Sequence, residues 1–328
     1  MPAQKIVVSG MRPTGKLHLG HYFGVLKNWL ELQDQYRCYF FVADWHALTT
    51  EYANPKAIRD WSRDMVLDWM ASGLDPEKCT FFLQSQVPEH AELQLLLGMI
   101  TPISWLERVP SYKELKNELK DRDLNNYGFL GYPLLQTADV AIYNANLVPV
   151  GQDQVSHLEL SREIVRRFNS LYGPTLVEPQ PILTESPKVP GTDGRKMSKS
   201  YDNAIFLTED AKLVQKKLMS CITDPNRGRR SDPGNPDICT IFDYHKIFTD
   251  KSKVSEINVQ CRAAEIGCVD CKKIVTESVQ NFLKPIAEKR KALQGKPKLV
   301  EEILAEGARR AREVAQKNLA KVYQVMGL

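Results

Sequence analysis

The chain has 328 residues, of which 43% are hydrophobic and 26% are charged, the balance of an ordinary soluble globular protein. This composition excludes a disordered, fibrous or coiled-coil chain, and the length predicts two domains of about 100–200 residues each. The longest apolar runs have about six residues, far short of the roughly 20 that a membrane span needs. Because residues 1–10 lack an export signal, the expected compartment is the cytoplasm.

The charge is unevenly distributed along the chain. The formal net charge is only +4, too small to indicate a nucleic acid partner by itself. Residues 281–328 hold eleven Lys and Arg against five Glu, a local charge of +6. Such a segment could follow a phosphate backbone, although a solvated helix face is the more common explanation of a charge cluster of this size.

The N-terminal part alternates predicted strands with predicted helices. Short runs rich in β-branched and aromatic residues predict buried strands, and the stretches between them have helical spacing. The strands are predicted at residues 5–10, 39–43, 80–84 and 147–151, and the helices at 17–33, from Pro55 onward, at 89–99 and at 156–169. This alternation predicts an α/β fold with a doubly wound parallel sheet. Ligands in such sheets bind at the carboxyl ends of the strands, where the strand order reverses.

The C-terminal part is predicted to be helical. Residues 178–194, rich in Pro and Gly, predict a mobile connector, and helices are predicted at 211–219 and 274–282. A long final helix is predicted at 299–325, with an apolar stripe of Leu304, Ala308, Ala311, Ala315, Leu319 and Val322.

The first candidate site is the segment His18-Leu19-Gly20-His21, where the first strand leads into the first helix. A helix N-terminus offers unpaired N–H groups, which suit phosphate. Two imidazoles three residues apart can donate hydrogen bonds to phosphoryl oxygens, and Gly20 would let a flat group such as adenine approach the backbone. Alone, the tetrapeptide could equally be structural.

The second candidate site is Lys196-Met197-Ser198-Lys199-Ser200, preceded by Gly191-Thr192-Asp193-Gly194. Two lysines on a loop with glycine hinges could close over a triphosphate and neutralise charge in the transition state. Alone, this pentapeptide is better explained as a flexible solvated loop.

Together, the two segments resemble the paired motifs of class I aminoacyl-tRNA synthetases. The intervening segments Gly131-Tyr132-Pro133, Ala138-Asp139-Val140, Val148–Gln154 and His157–Arg162 are similar to bacterial-type tryptophanyl-tRNA synthetases, and the likeness runs from about Val7 to Asn203. The resemblance implies a Rossmann-type catalytic domain at 1–203, with a C-terminal helix at 298–328 packing back on it, and a helical anticodon-binding domain at 204–297.

The resemblance also implies the reaction and the partners. Tryptophan would be activated with ATP and Mg²⁺ to tryptophanyl-adenylate and pyrophosphate, and the tryptophan would then pass to the 3′ end of tRNA(Trp). A homodimer is implied, with one tRNA bridging both subunits. In-line displacement at phosphorus needs positioning and charge stabilisation more than a covalent group from the protein.

Roles at the ATP site follow from the resemblance. His18 and His21 would contact the phosphates, and Lys196 and Lys199 would hold the β- and γ-phosphates; these four are the expected catalytic residues. The expected ATP-binding residues are Met11, Arg12, Gly15, His18, Gly20, His21, Gln152, Lys196, Met197, Ser198 and Lys199, together with Gly151 and Asp153 as a ribose-binding pair and Lys113 as a further phosphate-binding lysine.

Roles at the amino acid site follow in the same way. Asp139 corresponds to the acceptor of the indole N–H, and an acceptor is required because an unpaired buried donor costs about 1–3 kcal/mol. Tyr132 and Gln154 match groups that hold the α-amino group. The expected tryptophan-binding residues are Val8, Gly10, Arg12, His46, Tyr132, Gln136, Asp139, Val140, Val148, Val150 and Gln154.

Three positions depart from the bacterial pattern. Gln136 stands where Met is common, Val8 where Phe is common and Arg12 where Gln is common. These changes alter the polarity and volume of the expected pocket. Because tyrosine also needs an acceptor for its hydroxyl, a tyrosyl-tRNA synthetase is the nearest alternative.

A cysteine cluster lies in the helical part. Its members are Cys239, Cys261, Cys268 and Cys271. Zinc usually takes two close pairs, and here only the last two cysteines form one, whereas irregular spacing is common around 4Fe–4S clusters. The arrangement is similar to a subset of tryptophanyl enzymes with such a cluster. Zinc and unmetallated thiols remain alternatives, and Cys221 and His245 are possible substitutes for Cys239.

Two alternatives from other classes remain. A catalytically silent RNA-binding or redox-sensing paralogue is disfavoured because both motifs are intact. A small-molecule adenylyltransferase is disfavoured by the second lysine motif and the helical segment. Arg227, Arg229 and Arg230 form a second candidate for contact with a tRNA backbone, with a solvated loop as the alternative.

Overall fold

The computed structural model describes residues 4–109, 126–183, 188–296 and 298–328, with Asp153 described by its backbone alone. Within these ranges, a five-stranded sheet has the order β3-β2-β1-β4-β5. Its strands are β1 (Ile6–Met11), β2 (Arg37–Val42), β3 (Cys79–Leu83), β4 (Leu147–Val150) and β5 (Gln180–Leu183). All of their pairings are parallel, which confirms the predicted doubly wound sheet.

The fifth strand corrects the prediction for residues 178–194. Gln180–Leu183 pairs with β4 along its whole length and is not part of a connector. Pro181 conceals this strand in the sequence, because proline removes a ladder donor and is tolerated on edge strands. Here β5 is the last strand in the order, so only one of its sides needs donors.

The strand order reverses between β1 and β4. The chain proceeds from β1 through β2 to β3 on one side and then returns to place β4 against β1, with Val7 opposite Leu147. The carboxyl ends of these two strands therefore flank the crevice where ligands bind in open α/β sheets.

Helices fill most of the remaining described chain. A short helix, Leu19–His21, continues through a π-helical turn, Tyr22–Leu26, into Lys27–Leu32. The other helices are Asp44–Glu51, Lys56–Ala71, Glu89–Gly98, Ile103–Glu107, Tyr127–Ala141, Val155–Tyr172, Ala211–Ser220, Thr240–Phe248, Lys251–Arg262, Cys268–Gln294 and Leu299–Met326. No helix among the described residues is long and apolar enough to span a membrane.

The described chain divides into two compact units. The first unit comprises 1–15, 28–185 and 297–328, and the second comprises 16–27 and 186–296. The predicted domain boundaries at residues 203 and 298 stay a prediction.

The first unit is built on the sheet. Strand residues such as Val8, Tyr39 and Phe82 are fully buried in one apolar cluster. The final helix packs on β3, and a Cβ on Gly307 would lie 1.7 Å from the carbonyl oxygen of Phe81. The predicted stripe of the final helix is buried, with Leu304, Ala308, Ala311, Ala315, Leu319 and Val322 each at most 6% exposed.

The second unit has its own core. Aromatic rings of Phe23, Phe248 and Phe282 pack together, with ring centroids 5.3–5.6 Å apart. Such ring pairs add to the stabilisation that apolar burial supplies. Residues 16–27 are thereby tied to the helices of the same unit.

Candidate active site

Both predicted phosphate motifs lie in the second unit, and backbone hydrogen bonds join the first motif to residues 205–207, which follow the second motif. The Leu19 N–H donates to the carbonyl of Ile205 at 2.9 Å, and the Leu207 N–H donates to the carbonyl of Leu17 at 3.0 Å. The His18 segment is therefore paired with the chain that immediately follows the lysine motif. A separation of about 180 residues along the sequence is closed by these bonds.

The two histidines form a compact pair. Their ring centroids are 3.8 Å apart, and the backbone N–H of His18 donates to Nδ1 of His21 at 3.2 Å. Since Nδ1 of His21 accepts, the hydrogen of the neutral ring is on Nε2. That tautomer leaves Nε2–H of His21 as a donor for a phosphate oxygen.

Both histidines are held neutral. Burial, followed by the charge of Lys199, lowers the pKa of His18 to about 4. Burial, followed by the charges of His18 and Lys199, lowers the pKa of His21 well below its ordinary value. At neutral pH the pair therefore supplies hydrogen-bond donors, and positive charge must come from the lysines.

A side chain between the histidines would crowd the His18 ring. A Cβ on Gly20 would lie 3.0 Å from Cε1 and Nδ1 of the His18 ring and 3.7 Å from the Cβ of Met197. The short distance from that position to Met197 also shows that the two motifs approach each other at this point. Met197 is buried, while Lys196 is exposed and Lys199 is partly exposed.

The lysine loop is organised by Asn203, which the sequence analysis did not single out. Its amide nitrogen donates to Oδ1 of Asp193 at 2.7 Å and to the carbonyl of Lys196 at 3.2 Å. Its amide oxygen accepts from the Ser198 N–H at 2.8 Å. A buried amide that bridges the two ends of a loop fixes the backbone from which both lysines project.

The first unit carries predicted ATP-binding and tryptophan-binding residues at the carboxyl ends of its strands. Gly10 and Met11 end β1, Val150 ends β4, and Gly151 and Gln152 follow it. They lie where the strand order reverses, as the fold predicts for ligand-binding residues.

Two further residues of the predicted ATP set have specific local geometry. The guanidinium of Arg12 donates to the hydroxyl of Thr50 at 2.5 Å, and Gly15 has a φ of 106°, which only glycine adopts readily. Lys113 and the side chain of Asp153 lie outside the described residues, so their predicted roles stay predictions.

Most of the predicted tryptophan-binding residues lie on one helix and two strands. Tyr132, Gln136 and Asp139 share a face of the helix Tyr127–Ala141, because positions i, i+4 and i+7 are neighbours on a helix. Val8 and Gly10 point to one face of β1, and Val148 and Val150 share a face of β4. Gln154 is exposed at the end of the 3₁₀ turn that follows β4.

The valines that are predicted to bind tryptophan are also explained as ordinary core residues. Val8, Val140, Val148 and Val150 are all at most 7% exposed and belong to the apolar cluster of the first unit. Tyr132 and Gln136 are partly exposed. Gln136, which stands where Met is common, is therefore not enclosed in the core.

Asp139 is the centre of a buried polar network. Its Oδ2 accepts from Nε2 of His46 at 2.8 Å, and its Oδ1 accepts from Nε2 of Gln84 at 2.7 Å and Nδ1 of His90 at 2.6 Å. Burial alone would raise the pKa of Asp139, but the hydrogen bonds from His46 and His90 outweigh burial and hold the pKa at about 2. Asp139 is therefore ionised and can only accept hydrogen bonds.

Two members of this network were missed by the sequence analysis. Gln84 follows the carboxyl end of β3, and His90 lies in the first turn of the helix Glu89–Gly98. Their position after a parallel strand was the available signal, because such strand ends converge on one edge of the sheet. His46 is among the predicted tryptophan-binding residues, and its ring hydrogen bonds to Asp139.

The four cysteines of the predicted metal site lie in the second unit. Within residues 4–109, 126–183, 188–296 and 298–328, no group of three or more His, Cys, Asp or Glu side chains is arranged to hold a metal ion. Burial raises the pKa of Cys271 to about 12, and the charges of Cys239, Cys261 and Cys268 contribute. The thiols therefore lie within electrostatic range of one another.

One proposed substitute, His245, and the arginine loop are adjacent to these thiols. Nε2 of His245 lies 3.3 Å from Sγ of Cys271. The guanidinium of Arg227 donates to the carbonyl of Ile266 at 2.9 Å and lies 3.7 Å from Sγ of Cys261. Arg227 is therefore engaged inside the protein, whereas Arg229 and Arg230 are exposed.

Comparisons with known proteins place the chain among tRNA synthetases. The family model described as class I tRNA synthetases (W and Y) matches residues 3–284. A tryptophan–tRNA ligase of Thermotoga maritima is 50% identical over 98% of this chain and 99% of its own length. One of Aquifex aeolicus is 46% identical over 98% of this chain and 99% of its own length.

A solved structure agrees over the same extent. The tryptophanyl-tRNA synthetase of Campylobacter jejuni, complexed with ADP and tryptophan, superposes with a TM-score of 0.89 at 34% identity. The match covers 98% of this chain and 100% of that one.

Proposed function

The chain belongs to the class I tRNA synthetases of the tryptophan and tyrosine family, and we propose that this aminoacyl-tRNA synthetase charges tRNA(Trp) with tryptophan in the cytoplasm. The carboxylate of tryptophan attacks the α-phosphorus of ATP, and pyrophosphate leaves. A ribose hydroxyl at the 3′ end of tRNA(Trp) then attacks the adenylate carbonyl, and AMP leaves. The backbone pairing that joins the two phosphate motifs is the structural observation that carries the proposal.

The second unit supplies groups for the triphosphate. His21 offers Nε2–H as a neutral donor, and Lys196 and Lys199 offer positive charge to the β- and γ-phosphates. This division of roles fits a displacement in which charge spreads over the phosphoryl oxygens and onto the departing pyrophosphate. Mg²⁺ bound to the ATP phosphates would share that charge.

The first unit supplies the acceptor for the indole. A carboxylate has about four lone-pair positions, and three are occupied by His46, Gln84 and His90. Oδ2 carries one of these bonds and so retains room for the indole N–H. Tyr132 and Gln154 would hold the α-amino group of the bound amino acid.

Amino-acid-dependent ATP–pyrophosphate exchange tests the proposal. Exchange with tryptophan alone is expected, and exchange with tyrosine alone would overturn the substrate assignment. Lys199→Ala should lower kcat by about 100-fold, the cost of one lost transition-state contact. The matched control Lys188→Ala changes an exposed lysine outside the motif and should leave kcat unchanged. Absence of exchange from folded protein would favour a silent paralogue.

Residues 204–297 are proposed to bind the anticodon part of the tRNA. Arg229 and Arg230 are exposed, with Arg230 in a long surface ion pair with Asp270 at 3.9 Å, and residues 281–328 carry an excess of positive charge. In assays of tRNA charging, Arg229→Ala should show a lower affinity for tRNA and a shallower dependence of that affinity on salt. Pyrophosphate exchange measured without tRNA should stay unchanged. An unchanged salt dependence would refute this contact.

A homodimer is proposed from the surface of the first unit. Leu95, Met99, Ile103 and Tyr127 are 59–70% exposed, and Leu95 and Met99 share one helix face. Clusters of exposed large apolar side chains mark interaction surfaces. Met99→Glu should give a monomer by light scattering after size exclusion, whereas Leu171→Glu, at another exposed leucine, should not. A dimer that persists in Met99→Glu would refute this interface.

We also infer an iron–sulfur cluster on Cys239, Cys261, Cys268 and Cys271. Four thiolates are the ligand set that such a cluster takes, and these cysteines lie on the N-terminal ends of two helices and the C-terminal end of a third, although the described side chains form no group already arranged to hold a metal. A cluster there would fix these helix ends, and no catalytic step is assigned to it.

Metal analysis of anaerobically purified protein tests the cluster. Iron, sulfide and a brown chromophore are expected. Cys268→Ser should abolish them, while Cys38→Ser, which alters a buried thiol of the sheet, should not. Zinc in place of iron, or no metal, would overturn the cluster.

A further inference from the structure

A continuous chain of buried hydrogen bonds connects Tyr143 to Asp139 through His90. Nδ1 of His90 lies 2.6 Å from Oδ1 of Asp139, and Nε2 lies 2.7 Å from the hydroxyl of Tyr143. His90 and Tyr143 are fully buried, and Asp139 is 1% exposed. No water is needed to complete this chain, because each ring atom meets its protein partner directly.

The direction of each hydrogen bond follows from the chemistry of the partners. An ionised carboxylate has no hydrogen to give, so Nδ1 of His90 carries the hydrogen that bonds to Asp139. When the ring carries a hydrogen on Nδ1 alone, Nε2 is the acceptor and takes the hydrogen of the Tyr143 hydroxyl. Tyr143 thus selects the tautomer of His90 that donates to Asp139.

Packing fixes the far end of the chain. The ring of Tyr143 stacks on Tyr39, with centroids 4.7 Å apart and planes at 18°, and meets the edges of Phe82 and His90. Burial, followed by the charge of Asp139, raises the pKa of Tyr143 well above its ordinary value. The hydroxyl therefore stays protonated and remains a donor.

We propose that His90, oriented by Tyr143, is a positioning residue for amino acid recognition. It holds Oδ1 of Asp139 and thereby turns Oδ2 toward the indole N–H of tryptophan. Gln84 also donates to Oδ1 of Asp139, from a second direction. The side-chain carbonyl of Gln84 accepts a hydrogen bond from the backbone N–H of His46 at 3.4 Å. This inference rests on the proposed function and extends it to two residues that do not touch the substrate.

A tryptophan analogue separates positioning from general structural support. In L-3-(benzothiophen-3-yl)alanine, sulfur replaces the indole N–H, so Asp139 has nothing to accept from it. His90→Leu should raise KM for tryptophan about tenfold or more, the effect of weakening a hydrogen bond to a charged group. The same variant should leave KM for the analogue and for ATP within about twofold.

Conservative variants keep the test valid if His90→Leu folds poorly. The amide of Asn can replace Nδ1–H, so His90→Asn should recover most of the affinity for tryptophan. Tyr143→Phe removes only the hydroxyl that selects the tautomer, and should raise KM for tryptophan about threefold with the melting temperature nearly unchanged.

Equal increases in KM for tryptophan and for the analogue would overturn the proposal and show that His90 has only a structural role. Failure of His90→Asn to improve on His90→Leu would overturn it as well. Failure of the proposed function is distinguishable, because the unaltered protein would then show no tryptophan-dependent exchange at all.

Discussion

Asn203→Asp is expected to disable the lysine loop while leaving tryptophan binding intact. The side chain of Asn203 is 2% exposed and bonds Asp193, Lys196 and Ser198 at once. Replacement by Asp conserves the volume but turns the amide nitrogen into an oxygen. That oxygen would face the carboxylate of Asp193 across the present 2.7 Å contact.

The magnitude follows from the bonds that are lost. Asn203→Ala removes three hydrogen bonds, each worth about 1 kcal/mol net and more for the one to the charged carboxylate of Asp193. A total of about 3 kcal/mol corresponds to a shift of roughly 100-fold in the population of the ordered loop. Asn203→Asp should cost more than Asn203→Ala, because it adds repulsion between two carboxylates.

Pyrophosphate exchange measures the effect directly. We expect kcat to fall by about 10- to 100-fold in Asn203→Ala and further in Asn203→Asp, with KM for tryptophan unchanged. Asn281→Asp, at an exposed position of the helix Cys268–Gln294, controls for the added charge. The role assigned to Asn203 is wrong if Asn203→Asp has the same kcat as the unaltered protein. It is also wrong if KM for tryptophan rises as much as kcat falls.

Three further predictions concern stability and the histidine motif. Gly307→Ala should destabilise the protein by about 1–3 kcal/mol or more in urea unfolding, because its Cβ would overlap the Phe81 carbonyl; Gly295→Ala, where a Cβ meets nothing closer than 3.5 Å, should be tolerated. Gly20→Ala should raise KM for ATP with KM for tryptophan unchanged, because its Cβ would press on the His18 ring; equal increases in both would contradict a local effect. Burial, aided by Lys199, depresses the pKa of His18 from 6.5 to about 4, so the unfolded chain binds more protons than the folded protein between these values. The free energy of unfolding should therefore fall as the pH drops from 6.5 toward 4, and His18→Asn should show a smaller fall when urea unfolding is compared at pH 7 and 5.

Regular periodicity made much of the fold predictable. The strands β1 to β4 are short and mostly apolar, and the final helix repeats its apolar stripe over many turns. These signals are local, because a buried strand or helix face must be apolar along its own sequence. β5 was missed because Pro181 weakens the local signal, and its pairing depends on a neighbouring strand.

The chemistry of the motifs was also visible in the sequence, since His18, His21, Lys196 and Lys199 lie in short segments of distinctive composition. Their proximity was not visible. It depends on the pairing of Leu17–Leu19 with Ile205–Leu207, which forms only when distant parts of the chain fold together.

The sequence by itself determined the fold class, the family resemblance and the residue types available for phosphate and indole binding. Only the tertiary structure decided their chemical states. His18 is a neutral donor because burial withdraws its charge, and Asp139 is an anion because His46, Gln84 and His90 surround it with donors. Burial and long-range hydrogen bonds set these states, and neither quantity is carried by a single segment of sequence.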